Sequence, residues 1–231
     1  MSIRALILPC IALIASPVLA AEGDPIALKK GDKIVFLGDS ITQGGGGPKG
    51  YVTLIKNTLA EKHKDLGIEV VNAGISGNKV PDLQRRLEKD VLAKKPTLVV
   101  IYIGINDVWH RLNDPTKGTS KEKFEEGLKE IIGKITSAGA RVVLCTPTVI
   151  GEKTGGTNKA DSKLDEYSDI SRKIAKELKL PLCDLRKAFV ENLKDGNKDN
   201  KDKGVLTSDT VHLNEAGNKL VAETMLKTIN P

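Results

Sequence analysis

Apolar residues along this chain gather in short runs that alternate with longer stretches of helical spacing. Residues 33–37, 68–71, 98–103, 141–145 and 180–183 predict five strands. The run 98–103 is apolar throughout, the pattern of a strand covered on both faces in a parallel sheet. Between these runs, residues 51–64 carry Val52, Ile55 and Leu59 on one helical face, and residues 81–94 carry Leu83, Leu87 and Val91. Further helices are predicted over 121–137, 161–178 and 214–228. Strands alternating with helices at this spacing predict βαβ units, and so a three-layer α/β fold around a parallel five-stranded sheet. No internal repeat or linker interrupts the pattern, and residues 21–231 read as a single domain.

The first twenty residues break the pattern. Arg4 supplies a basic start, residues 5–14 are almost wholly apolar, and Val18-Leu19-Ala20 offers short residues for cleavage. A spanning helix wants about 20 apolar residues, and Pro9 and Pro17 break this run. Residues 1–20 therefore read as a signal peptide, with no stable membrane insertion after its removal and a secreted or periplasmic mature chain. Cys10 lacks the small-residue pattern of a lipoprotein cleavage site just before it.

Composition changes the picture little. With three Phe, three Tyr and one Trp, the core must be aliphatic. Loss of Arg4 with the leader lowers the net charge from +6 to +5. Lysines are scattered rather than clustered with aromatics, which argues for a solvated surface and against nucleic acid. Cys145 and Cys183 lie in apolar runs, where small buried thiols are common, although export also permits a disulfide. Residues 194–204 hold the calcium-loop spacing Asp195-x-Asn197-x-Asp199. However, Asn200 stands where the turn glycine is needed and Leu206 where the bidentate Glu belongs, so the stretch reads as a solvated loop with no metal. Gly45-x-Gly47-x-x-Gly50 fits a dinucleotide fingerprint in form only. It starts eight residues after Leu37, and Asn72–Gly74 rather than an acid ends the second strand, so it reads as a flexible loop.

In open parallel sheets, ligands bind outside the carboxyl ends of the strands. Those ends carry Gly38-Asp39-Ser40, then Asn72-Ala73-Gly74, then Gly104-Ile105-Asn106-Asp107, while Asp209-Thr210-Val211-His212 precedes the last helix. Acyl transfer needs a nucleophile, a base, a group that orients the base, and donors for the oxyanion. Ser40, His212, Asp209 and the Gly74/Asn106 pair meet those needs. Singly, each has a plainer use: a helix-cap serine, a turn glycine, an asparagine satisfying local backbone, a surface histidine. Asp39 and Asp107 suit structural hydrogen bonding better than acid–base work. Trp109 and His110 fall where loops are expected to line a pocket, and Trp109 suits either the core or a sugar ring. His63 and His110 read as surface residues.

Gly38-Asp39-Ser40-Ile41-Thr42 resembles the first block of the SGNH/GDSL hydrolases. Gly74 in Asn-Ala-Gly-Ile-Ser-Gly is similar to their second block, Gly104-x-Asn106-Asp107 to their third, and Asp209-x-x-His212 to their last. The resemblance implies a flavodoxin-like fold and a carboxylic ester hydrolase needing neither metal nor organic cofactor. It implies Ser40 as nucleophile, His212 as general base, Asp209 as the residue orienting it, and an oxyanion hole of the Ser40 and Gly74 amides with the Asn106 side chain. The Gly-Asp-Ser-Ile-Thr form and export suggest an acetylated carbohydrate as the ester substrate. A lipase, lysophospholipase or short-chain thioesterase is the enzymatic rival, and a non-catalytic glycan-binding protein the rival of another class.

Overall fold

A computed structural model describes residues 25–229; the proposed signal peptide and Cys10 lie outside them. The strands are β1 (Lys33–Gly38), β2 (Glu69–Gly74), β3 (Leu98–Tyr102), β4 (Arg141–Cys145) and β5 (Leu182–Cys183). The helices are α1 (Ser40–Gly44), α2 (Tyr51–Lys62), α3 (Val80–Asp90), α4 (Ile105–Asn113), α5 (Lys121–Ser137), α6 (Asp161–Glu177), α7 (Leu185–Gly196) and α8 (Glu215–Thr228). All strand pairs are parallel, in the order β2-β1-β3-β4-β5. That is the flavodoxin-like order, whose direction of winding switches between β1 and β3.

Helices on both faces explain why the central strands are apolar at successive positions. Ile34, Val35, Phe36 and Leu37 of β1 and Leu98 to Ile101 of β3 are fully buried. The few aromatic rings sit together rather than spread out. Tyr51 stacks edge-on against Phe36 and Tyr102, and Phe124 against Tyr167. Edge-to-face pairs of this kind add about 0.5–1.5 kcal/mol beyond area burial.

Three segments differ from the sequence expectation. Residues 185–196, expected in part as a solvated loop, form α7. Asp184 caps it through Lys187 N, and Leu185, Phe189 and Leu193 recur every four residues on its buried face. Trp109 and His110 belong to α4 rather than to a loop. Strand β5 is two residues long, because Leu180 still belongs to the helix-terminating turn, its amide bonded to Ala175 O at 2.8 Å. Cys145 and Cys183 face each other in the β4–β5 register, buried and unbonded. Burial and the neighbouring Cys183 push the Cys145 thiol up, away from the reactive thiolate.

Candidate active site

Strand β1 feeds directly into α1, which puts Ser40 on the first turn of a short helix at the switch point of the sheet. Asp39 caps that helix, its Oδ1 accepting from Ile41 N at 2.9 Å. Across the crevice, the segment joining β5 to the last helix brings His212 to the serine. The Ser40 Oγ lies 2.8 Å from His212 Nε2, and His212 Nδ1 lies 2.7 Å from Asp209 Oδ2. The other Asp209 oxygen accepts from the Val211 and His212 amides at 3.1 and 2.7 Å. Burial pushes Asp209 up, but the bonds from the His212 ring and from these two amides outweigh it. The net result is a carboxyl below its ordinary value. Residues 172 apart thus form an unbroken chain of hydrogen bonds, partly open to solvent.

The second wall comes from the ends of β2 and β3. Gly74 is there because α1 passes too closely for a side chain: a Cβ would stand 2.1 Å from Gln43 N. Its amide is directed elsewhere than the sequence suggested, donating to Asn72 Oδ1 at 2.9 Å. That donor, expected to serve the oxyanion, already has an acceptor. Three residues on, Gly77 has φ +75°, and no hydrogen bond among the described residues engages its amide. Its neighbours fix its place. Ser76 N donates to Gln43 Oε1 of α1 at 2.8 Å, and Asn78 O accepts from Asn106 Nδ2 at 3.1 Å. Gly77 therefore spans the gap between the helix that begins with Ser40 and Asn106. The sequence held the signal, since Asn-Ala-Gly-Ile-Ser-Gly contains both glycines; spacing did not say which amide stays free.

Asn106, 3% exposed at the start of α4, uses one amide hydrogen on Asn78 O and has a second to offer. Arg86 locks the two walls together, donating Nη2 to Gly38 O at 2.8 Å and Nε to Asn78 Oδ1 at 2.7 Å. Asp107 adds another tie through Val80 N at 3.0 Å. Trp109 packs against the core while part of it stays uncovered. Among the described residues no group of His, Cys, Asp and Glu is spaced to hold a metal.

Burial pushes Asp39 up to about 7; the Ile41 amide opposes this, and the charge of Asp107 adds to it. Burial likewise pushes Asp107 up to about 6. A carboxyl raised in the folded state stabilises the fold fully below its ordinary value of 3.8, and that contribution is lost as pH rises through about 7. Asp39→Asn keeps the Oδ1 cap without the charge. It is expected to melt above the parent at neutral pH by about 2–4 °C or more, with the difference vanishing below about pH 4. Parallel melting curves across pH check this, and a difference that grows toward acid would reverse the sign of the argument.

Comparisons with known proteins establish the family. A model of the GDSL-like Lipase/Acylhydrolase family matches residues 36–220. An acetylxylan esterase of Geobacillus stearothermophilus is 34% identical over 214 residues, covering 86% of this chain and 94% of its own. An uncharacterized lipoprotein of Bacillus subtilis (strain 168) is 29% identical, covering 83% and 87%. Among solved structures, the acetyl xylan esterase AlAXEase superposes with a TM-score of 0.79 and 46% identity over 84% of this chain and 97% of its own. With its strand order, its strand-end blocks and the proteins it resembles all agreeing along almost the whole described length, the chain belongs to the GDSL-like lipase/acylhydrolase family of carboxylic ester hydrolases.

Proposed function

We propose that the protein is an exported serine esterase that removes O-acetyl groups from carbohydrates. The observation that carries the mechanism is the relay from Ser40 Oγ through the His212 ring to Asp209. Ser40 Oγ attacks the ester carbonyl carbon while its proton passes to His212 Nε2. Asp209 holds the proton on Nδ1, so that Nε2 is free to accept, and it stabilises the imidazolium that results. The oxyanion is received by the Ser40 amide, the free Gly77 amide and the second hydrogen of Asn106 Nδ2. When the intermediate collapses, His212 returns the proton to the leaving sugar oxygen, and Ser40 is left acylated. Water then repeats the sequence, His212 taking its proton, and releases acetate. Every bond made and broken is provided for by these residues, water and substrate.

The substrate class draws support from the two acetylxylan esterases, matched over nearly their full length. The site is consistent with it. The leaving alcohol emerges on the His212 side, where Gly44, Gly47, Lys49, Leu213 and Glu215 line an open groove. Trp109, partly buried on α4, is the side chain assigned to a sugar contact in this reading. The signal-like pattern of residues 1–20 and the relative called a lipoprotein support an extracytoplasmic location.

The test is acyl-chain preference together with acetate release. Each methylene that a site can cover is worth about 0.8 kcal/mol to a fatty ester; without such cover, longer chains gain nothing. The specificity constant kcat/KM is expected to fall from acetyl to octanoyl nitrophenyl esters, and acetate should appear from acetylated xylan. A preference for octanoyl esters with no acetate released from any glycan would move the reading to lipid hydrolysis.

A further inference from the structure

The loop that carries Asp209 and His212 has an unusual backbone. Thr210 sits at φ +91°, a region that β-branched residues rarely enter. Strain of this kind persists only where the surroundings over-determine it. What surrounds it here is a two-residue grip from the loop after β4. Gly151, at φ +84°, donates its amide to Thr210 O at 2.8 Å, the carbonyl of the strained residue itself. Next to it, Glu152 is completely buried. Its Oε2 accepts from Val205 N at 2.8 Å. Its Oε1 accepts from Leu206 N at 2.7 Å, from Thr207 Oγ1 at 2.8 Å and from Thr207 N.

One buried carboxylate therefore takes three consecutive amides of the segment leading into the loop of Asp209 and His212. Its own backbone is fixed in turn, Glu152 N donating to Asp202 O at 2.8 Å and Asn197 Nδ2 donating to Glu152 O at 2.8 Å. The far side of the loop closes onto the gripped segment. Ser208 N donates to His212 O at 2.8 Å, and Asn214 N to Leu206 O at 3.0 Å. Asp209 and His212 thus stand on a short hairpin whose base is anchored by Glu152 and whose tip is anchored by Gly151. The His212 and Asp209 side chains are themselves 39% and 51% exposed.

We propose that Glu152, with Gly151, is a positioning clamp that holds the Asp209–His212 pair in line with Ser40. This rests on the triad reading given above. Glu152 touches neither substrate nor reacting atoms. Loosening the hairpin lets the imidazole drift from Ser40, while Asn106 and the Gly77 amide at the ends of β2 and β3 keep their places. The loss therefore falls on turnover, since a misplacement of about 1 Å can cost on the order of a hundredfold.

Glu152→Gln keeps the shape but turns a donor toward amides that need an acceptor. In the full mature protein, held below its melting temperature, kcat on an aryl acetate is expected to fall about 10–100-fold while KM moves less than about threefold. The strongly deshielded proton resonance of the His212 Nδ1–H bonded to Asp209 should broaden or vanish, which a merely structural role would not produce in folded protein. Wild-type kcat with an unchanged resonance in folded Glu152→Gln would overturn the clamp. Should that variant not fold, Gly151→Ala takes its place. Its methyl at positive φ, 2.9 Å from Asp202 Oδ1, is expected to disturb the Thr210 contact, lower kcat several-fold and weaken the resonance. Unchanged values there would likewise overturn the proposal. Ser40→Ala separates the two readings. It should keep the resonance and lose hydrolysis, whereas hydrolysis persisting in Ser40→Ala would defeat the triad and not the clamp.

Discussion

Ser40→Ala is expected to lower kcat by on the order of 10⁵-fold or more and to abolish labelling by a fluorophosphonate. The Oγ is the atom proposed to bond the acyl carbon, and His212 Nε2, 2.8 Å away, is in place to take its proton. Removing the hydroxyl leaves the oxyanion donors and the groove intact. A residual rate about 10³–10⁴-fold above that in water can therefore survive from those alone. Because binding does not depend on the hydroxyl, KM should change little, and the folded protein should still bind product analogues. The helix cap should also survive, since the side chain that caps α1 is Asp39 and not Ser40. Labelling on the parent mapped to Ser40 and absent from the variant is the check. Turnover close to the parent's in Ser40→Ala would reject covalent catalysis at this serine.

The layout of the sheet and two corners of the candidate site were legible in the sequence for a simple reason. Parallel strands covered on both faces must be apolar at successive positions, so Leu98 to Tyr102 declares itself, and whatever follows such a strand stands at its carboxyl end. Asn106 and Ser40 are located by that rule alone. What the sequence left open depends on hydrogen bonds between distant segments. Gly74 and Gly77 are both glycines near the end of β2, and the Asn72 side chain decides which amide is already spoken for. Glu152 has no signature in the sequence, because it grips amides 53–55 residues away. Helix α7 had a legible pattern in Leu185, Phe189 and Leu193, but the lysine- and aspartate-rich stretch that begins at its last turn masked the periodicity. Of the candidate residues, Ser40 and Asn106 stand at strand ends and Asp209 and His212 on one hairpin, and only the strand ends follow from periodicity.

The sharpest consequence of the relay is that Asp209→Asn should be more damaging than Asp209→Ala. The two carboxylate oxygens have different tasks: Oδ1 accepts from the Val211 and His212 amides, while Oδ2 faces His212 Nδ1. In asparagine the remaining oxygen must stay with the two backbone amides, because an NH₂ there would set donor against donor. The NH₂ is then forced to point at Nδ1, which must become an acceptor. That moves the ring proton to Nε2, where it meets the Ser40 hydroxyl and cannot take its proton. The wrong tautomer is held by the same bonds that held the right one, and a loss of about 10⁴-fold in kcat is expected, about 5.5 kcal/mol in the barrier. Alanine leaves Nδ1 with no protein partner, but Asp209 is 51% exposed, so water can fill its place and accept the Nδ1 proton. The Ala variant should therefore retain about 10–100 times the kcat of the Asn variant, a gap set by tautomer rather than charge, since both substitutions remove the carboxylate. Matched kcat measurements on the two variants decide it: an Asn variant as active as the Ala variant, or more so, would mean that Asp209 acts on His212 through its charge alone.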